Sequence, residues 1–307
     1  MQLFHLGFSK TGTKSLQRNL FIRCPREYFG NCTAAFNYGG SLRAQWNRFL
    51  CGAADRSLSA LRNTDFIFSQ EGTFLLCGGM RNVERIAQTI AAVFTDPRIL
   101  LTTREPARLL ASAYFQSLRL RRIAIGFRDS LPLRRKSVQF VGFREWWNLL
   151  KENEDVSYAG LLDYPRVVAA LAKYIDRKRI TVLPLEWMKS DQPKYVNALR
   201  DLGFDERQVA DFLAAPPENA GANKLLRRPL RSFAPSVGGL LVGCGFGDAL
   251  ERTTRSRSPL SSLTSFLFYT DADESKAPWG HPDKTTLSEI SDFYARGEYG
   301  DDSRTAK

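Results

Sequence analysis

No part of the sequence restricts the fold more than residues 4–16, Phe-His-Leu-Gly-Phe-Ser-Lys-Thr-Gly-Thr-Lys-Ser-Leu. The apolar run Leu3 to Leu6 predicts a strand, and Gly7 leads it into a turn built from Ser9, Lys10, Thr11, Gly12 and Thr13. Leu16, Leu20 and Phe21 then fall on one face of a helix. A helix entered in this way presents its first backbone N–H groups without intrahelical partners, and its dipole favours negative charge there. Lys10 and Lys14 add positive charge, while Thr11, Thr13 and Ser15 add hydroxyl donors. The unit therefore predicts a site for phosphate or a similar oxyanion.

The same alternation continues along the chain. Strand patterns at about 2–7, 65–69, 98–103 and 180–184 alternate with helical patterns at about 13–22, 80–94, 107–120 and 163–174. This predicts an α/β fold, a central parallel sheet with helices on both sides. A chain of 307 residues can bury a substantial core, and no Pro/Ser-rich linker, charge block or internal repeat divides it. One domain over residues 1–299 is expected, closed by a helix at 285–296, with 300–307 as a loose polar tail.

The nearest general loop motif is the nucleotide-triphosphate loop, Gly-x4-Gly-Lys-Ser/Thr. Gly7 and Gly12 have its separation, but Thr13 stands where the lysine belongs and Lys14-Ser15 come one place late. One residue turns a helical side chain by about 100°, so Lys14 could not reach the same phosphate oxygens. Lys10 lies instead inside the turn, ahead of the glycine. The order Lys10-Thr11-Gly12-Thr13 resembles the 5′-phosphosulfate loop of sulfotransferases that use 3′-phosphoadenosine 5′-phosphosulfate (PAPS), whose usual form is Pro-Lys-Ser/Thr-Gly-Thr-Thr. Ser9 replaces the proline and Lys14 the second threonine.

A PAPS site needs a second anion site for the 3′-phosphate. Residues 98–112 run from a buried-strand pattern, Ile99 to Leu101, to Arg104, then Pro106 in the first turn of a helix. Arg104 and Ser112 are eight residues apart, as are the arginine and serine that bind the 3′-phosphate in the family that the chain resembles. Guanidinium engages phosphate through two parallel hydrogen bonds, and the hydroxyl adds a third donor. A cation at a helix start opposes the dipole, and an anionic ligand would relieve that conflict. The resemblance covers roughly residues 2–232 and weakly 285–299, and is patchy over 119–160 and 233–284. It implies a P-loop-like three-layer fold and PAPS as co-substrate. Lys10, Thr11, Gly12, Thr13, Lys14 and Ser15 would hold the phosphosulfate, with Lys10 on the leaving group and no metal required.

The formal net charge of +12 makes the surface attractive to anions. No zinc-finger or aromatic ribonucleoprotein motif points to nucleic acid, and a polyanionic donor or an anionic glycan or lipid acceptor would account for the charge. The five cysteines, Cys24, Cys32, Cys51, Cys77 and Cys244, are odd in number and form no Cys-x-x-Cys pair, which predicts reduced thiols rather than a zinc site or disulfide framework. With a strand beginning at residue 2, no signal peptide is expected, and no apolar run reaches the ~20 residues of a membrane span. A cytoplasmic, bacterial protein is expected.

Transfer to an alcohol needs a general base. Only two histidines are present: His5 reads as a packed strand residue, and His281 as part of a surface turn. Glutamate serves as base in carbohydrate-directed relatives of the family, which draws attention to Glu71 at the carboxyl end of the 65–69 strand, with capping or ion pairing as its alternative role. Arg119, Arg121, Arg122, Arg128, Arg134, Arg135 and Lys136, followed by Phe140, Phe143, Trp146 and Trp147, make either a solvated face or a basic, aromatic cover on the acceptor side within residues 119–160. A second basic run holds Lys224, Arg227, Arg228 and Arg231, and 238–247 is a glycine-rich apolar segment. Two other functions remain open at this point, a P-loop kinase or nucleoside triphosphatase and a basic polyanion-binding protein.

Overall fold

Five short runs, rich in β-branched and aromatic residues, find partners in register. The structure is a computed structural model that describes residues 1–8, 10–30, 41–52, 58, 60–76, 78–119, 142–215, 226–229, 269–272 and 282–296. Within it β1 (Gln2–His5), β2 (Glu27–Gly30), β3 (Phe66–Ser69), β4 (Pro97–Thr103) and β5 (Ile180–Pro184) form one sheet in the order β2-β3-β1-β4-β5. Every pairing in it is parallel. Parallel neighbours cannot be joined by hairpins, so the chain crosses over through helices and covers both faces.

Successive strand residues point to opposite faces, and each face buries its own cluster. Phe4, Phe66, Phe68, Ile99, Leu101 and Ile180 share one cluster with residues of the helices Ser41–Leu50, Val83–Val93, Pro106–Arg119, Phe143–Glu152, Tyr164–Ala172 and Lys284–Arg296. Leu3, Ile67, Leu100 and Leu183 share the other with Leu16 and Leu20 and with the helices Gln192–Asp201 and Glu206–Ala214. The molecule is thus an α/β fold of three layers. Each expected strand and helix lies within two residues of its predicted bounds, the 80–94 helix when the 3-10 turn Met80–Asn82 is counted with Val83–Val93. β2 and the Ser41–Leu50 helix carried no such signal. β2 is a four-residue edge strand that buries only Phe29 and Gly30, and its pairing with β3 creates it.

The aromatic part of the expected acceptor-side cover is corrected by packing. Phe143, Trp146 and Trp147 are buried, Trp146 against Tyr114 at 5.5 Å and Trp147 against Tyr294 at 6.1 Å. These rings are core and offer no face to a sugar. Residues 120–141, the glycine-rich 238–247 segment, His281 and the tail 300–307 lie outside the described residues. Of the second basic run, Arg227 and Arg228 sit on a two-stranded antiparallel ribbon, Leu226–Pro229 with Tyr269–Ala272.

The chain lays β2 and β3 to one side of β1, then crosses to β4 and β5 on the other. The switch point falls at the carboxyl ends of β1 and β4, where open α/β sheets form a ligand crevice. The glycine-containing loop follows β1, and Arg104 follows β4.

Candidate functional site

The loop after β1 is shaped by two residues with left-handed backbone, Lys10 at φ 72° and Gly12 at φ 78°. Lys10 is the one non-glycine residue with positive φ among those described. For a residue carrying Cβ this conformation costs about 1–2 kcal/mol, and such strain persists only where neighbouring contacts hold it. The contacts here are clear. The hydroxyls of Thr11 and Thr13 both donate to the carbonyl of Phe8, at 2.7 and 3.1 Å. Both side chains are buried, so what Thr13 presents outward is its backbone N–H.

After Gly12 the chain enters the helix Thr13–Leu16, which widens into a π-helical stretch, Gln17–Phe21. Ser15 and Leu16 N–H donate to the carbonyl of Gly12 at 2.9 and 3.3 Å. The N–H groups of Gly12, Thr13 and Lys14 have no partner among the described residues. Lys14 is exposed, and Lys10 and Ser15 are half-buried. Three N–H groups at a helix entry with two lysines beside them suit an oxyanion.

Arg104 is brought to this loop. Its Nη1 donates to the carbonyl of Lys10 at 3.2 Å, and its other guanidinium donors have no partner among the described residues. Its backbone is held by Tyr164, whose hydroxyl donates to the Arg104 carbonyl at 2.7 Å. Ser112 is half-buried on the second turn of the Pro106–Arg119 helix, and no hydrogen bond joins it to Arg104. The conflict between Arg104 and the helix dipole is met by the protein itself. The Glu105 carboxylate accepts from Ala107 N at 2.8 Å and Arg108 N at 2.9 Å, and Glu186 accepts from Glu105 N at 3.0 Å.

The turn after β3 is stitched to the same loop. Gln70 N donates to His5 O at 3.4 Å and Gly72 N to Gly7 O at 3.1 Å, which puts half-buried Glu71 between two residues tied to β1 and its loop. Lys10, Arg104 and Glu71 therefore come from three strand ends that converge on one edge of the sheet.

Beneath the loop lies a polar cluster that the sequence pattern did not signal. His5, Ser69, Thr102, Thr11, Thr13 and Gln17 are each 2% exposed or less. His5 Nδ1 is 2.7 Å from Ser69 Oγ and Nε2 is 3.1 Å from Thr102 Oγ1, which is 2.8 Å from Thr11 Oγ1. Burial pushes the His5 pKa down to about 3, so the ring is neutral at pH 7. This excludes His5 as a solvent-facing base and agrees with a packed strand residue. The cluster also explains Gly7. A Cβ there would lie 2.4 Å from Thr102 Oγ1, 2.7 Å from His5 Nε2 and 2.9 Å from Thr13 Oγ1. Strand parity was the available signal: His5, Ser69 and Thr102 each stand two residues beyond Leu3, Ile67 and Leu100, which share one face.

Among the described residues no group of three or more His, Cys, Asp or Glu side chains is placed to hold a metal ion. No helix among them is long and apolar enough to cross a membrane. No protein-family model matches the chain. No curated protein matches it either. Among solved structures, the crystal structure of a sulfotransferase from Alicyclobacillus acidocaldarius is similar over 85% of this chain and 94% of its own, at 15% identity and a TM-score of 0.40. A score at that level assigns no role to any residue of this chain, and the chemistry has to be read from the loop.

Proposed function

We propose that the chain is a sulfotransferase that moves a sulfuryl group from PAPS to a hydroxyl or amine of a carbohydrate, lipid or small-molecule acceptor, releasing adenosine 3′,5′-bisphosphate. One observation carries this reading: Lys10, held at positive φ inside the turn, shares its carbonyl with Arg104. A phosphosulfate loop and a candidate second phosphate ligand thereby meet at one sheet edge. The donor set fits a ligand with two anionic groups. Gly12, Thr13 and Lys14 N–H with Lys14 and Ser15 side chains would hold the phosphosulfate, and Arg104 with Ser112 the 3′-phosphate.

In the proposed reaction the acceptor oxygen or nitrogen forms a bond to sulfur as the bond from sulfur to the 5′-phosphate oxygen breaks. The electron pair leaves on the phosphate, where Lys10 neutralises it, and the acceptor proton passes to Glu71. Positive charge comes from the protein, so the scheme requires no metal. The reading takes the protein as bacterial and cytoplasmic, with the net charge of +12 serving an anionic donor and acceptor.

Titration calorimetry tests the donor site. Adenosine 3′,5′-bisphosphate is expected to bind without magnesium, and ATP with magnesium much more weakly. The reverse order would sink the reading in favour of a triphosphate enzyme. Tight binding of heparin or DNA that survives Lys10→Ala and Arg104→Ala together would instead favour a polyanion binder. Labelled PAPS with an acceptor panel then identifies what receives the sulfate.

A further inference from the structure

Under the loop, the line of buried groups from Gln17 through Ser69, His5, Thr102 and Thr11 to the Phe8 carbonyl admits one arrangement of hydrogens. The Phe8 carbonyl can only accept, so at 2.7 Å the Thr11 hydroxyl donates to it. With that hydrogen in use, Thr11 Oγ1 accepts from Thr102 Oγ1 at 2.8 Å. Thr102 then has no hydrogen for His5, so His5 Nε2–H donates to Thr102 Oγ1 across 3.1 Å. A neutral imidazole carries one N–H, which leaves Nδ1 as acceptor for the Ser69 hydroxyl at 2.7 Å. Gln17 Nε2 completes the chain by donating to Ser69 Oγ at 3.0 Å. Every hydrogen runs one way, from Gln17 to the Phe8 carbonyl at the base of the loop. With the opposite tautomer Thr102 would have one hydrogen for two acceptors, His5 Nε2 and Thr11 Oγ1, and one of the two contacts would be left without a hydrogen.

We propose that His5, as the neutral Nε2–H tautomer, is a positioning residue that orients the Thr102 and Thr11 hydroxyls and thereby holds the loop presenting Lys10 and the N–H groups of Gly12–Lys14 to an anion. The loop needs such a hold because Lys10 occupies a backbone region that an L-residue leaves when unconstrained. Thr11 and Thr13 clamp the Phe8 carbonyl from inside, and His5 turns the Thr102 hydroxyl toward Thr11, so that the Thr11 hydrogen stays on that carbonyl. Burial supports the role, since a ring that stays neutral keeps Nδ1 free to accept from Ser69. This role rests on the reading of the loop as an anion site; the tautomer does not.

Nitrogen-15 spectra of the ring-labelled wild-type protein test the tautomer directly, with the His5 signals assigned by their loss in His5→Gln. A proton on Nε2 alone at pH 7 is expected. A proton on Nδ1, or on both nitrogens, overturns the proposal without any variant having to fold. Calorimetry with adenosine 3′,5′-bisphosphate then tests the consequence. His5→Phe should weaken binding about tenfold or more, and His5→Gln, which keeps an amide donor for Thr102, should restore affinity to within about threefold. A folded His5→Phe protein that binds like wild type removes the positioning role while the anion loop stands. Failure of the wild-type protein itself to bind sinks the anion-loop reading, and this role with it.

Discussion

Acid should destabilise this protein through His5, by an amount that can be worked out. The unfolded ring takes a proton near pH 6.5, whereas the buried ring refuses it until about pH 3. Between those values the unfolded chain binds more protons than the folded one, so stability is intact above pH 6.5 and falls as pH falls. At 1.36 kcal/mol per pH unit the loss is about 2 kcal/mol by pH 5 and about 4 kcal/mol by pH 3, where the folded ring begins to take the proton as well. That is a large part of the ~5–15 kcal/mol by which domains are stable. The perturbation that isolates it is His5→Gln, which fills a similar volume and does not titrate. Urea denaturation followed by tryptophan fluorescence at pH 7 and pH 5 gives the difference in unfolding free energy between wild type and variant at each pH. His281 and every carboxylate are common to both proteins and cancel. The wild-type advantage should shrink by about 2 kcal/mol from pH 7 to pH 5. An unchanged difference, or one that grows in acid, would refute the reasoning, because it would mean that residue 5 is solvated or charged in the folded state.

Lys10→Gly should stabilise the fold by about 1 kcal/mol, by relieving the left-handed backbone, while abolishing transfer from labelled PAPS; thermal melts and turnover read the two effects separately. Gly7→Ala forces a methyl group against Thr102, His5 and Thr13 and should cost about 1–3 kcal/mol in urea denaturation, with weaker bisphosphate binding. Glu105→Ala removes the carboxylate that caps the Pro106–Arg119 helix and should cost about 1 kcal/mol. Its loss also removes negative charge beside Arg104, so calorimetry should find tighter bisphosphate binding; a weaker complex would count against a phosphate at Arg104. Glu71→Gln should lower kcat with KM for PAPS little changed, and near-normal turnover would take the base role from Glu71.

Much of the fold was legible because its signals are local. The apolar runs at Leu3–Leu6 and Ile99–Leu101 are long enough to mark strands, and the spacing of Leu16, Leu20 and Phe21 marks a helix face. β2 was not legible, since Glu-Tyr-Phe-Gly has no periodicity and becomes a strand only beside β3. Trp146 and Trp147 misled for a related reason. Following a basic run they resemble a ligand-stacking surface, and only the fold reveals that Tyr114 and Tyr294 cover them.

By itself the sequence determined the three-layer alternation and the loop that joins β1 to its helix, because turn chemistry and hydrophobic period act over a few residues. It also named Lys10, Arg104 and Glu71. Tertiary structure alone decided that these three meet at one sheet edge, since residues 61 and 94 positions from Lys10 come together only when β3 and β4 pair on either side of β1. It also decided what Thr11, Thr13 and His5 do. A hydroxyl in a loop reads as a ligand donor until the carbonyl of Phe8 takes its hydrogen, and a histidine in a strand reads as packing until Ser69 and Thr102 arrive from the neighbouring strands. Hydrogen-bond direction depends on every partner in reach, and those partners are assembled by the sheet.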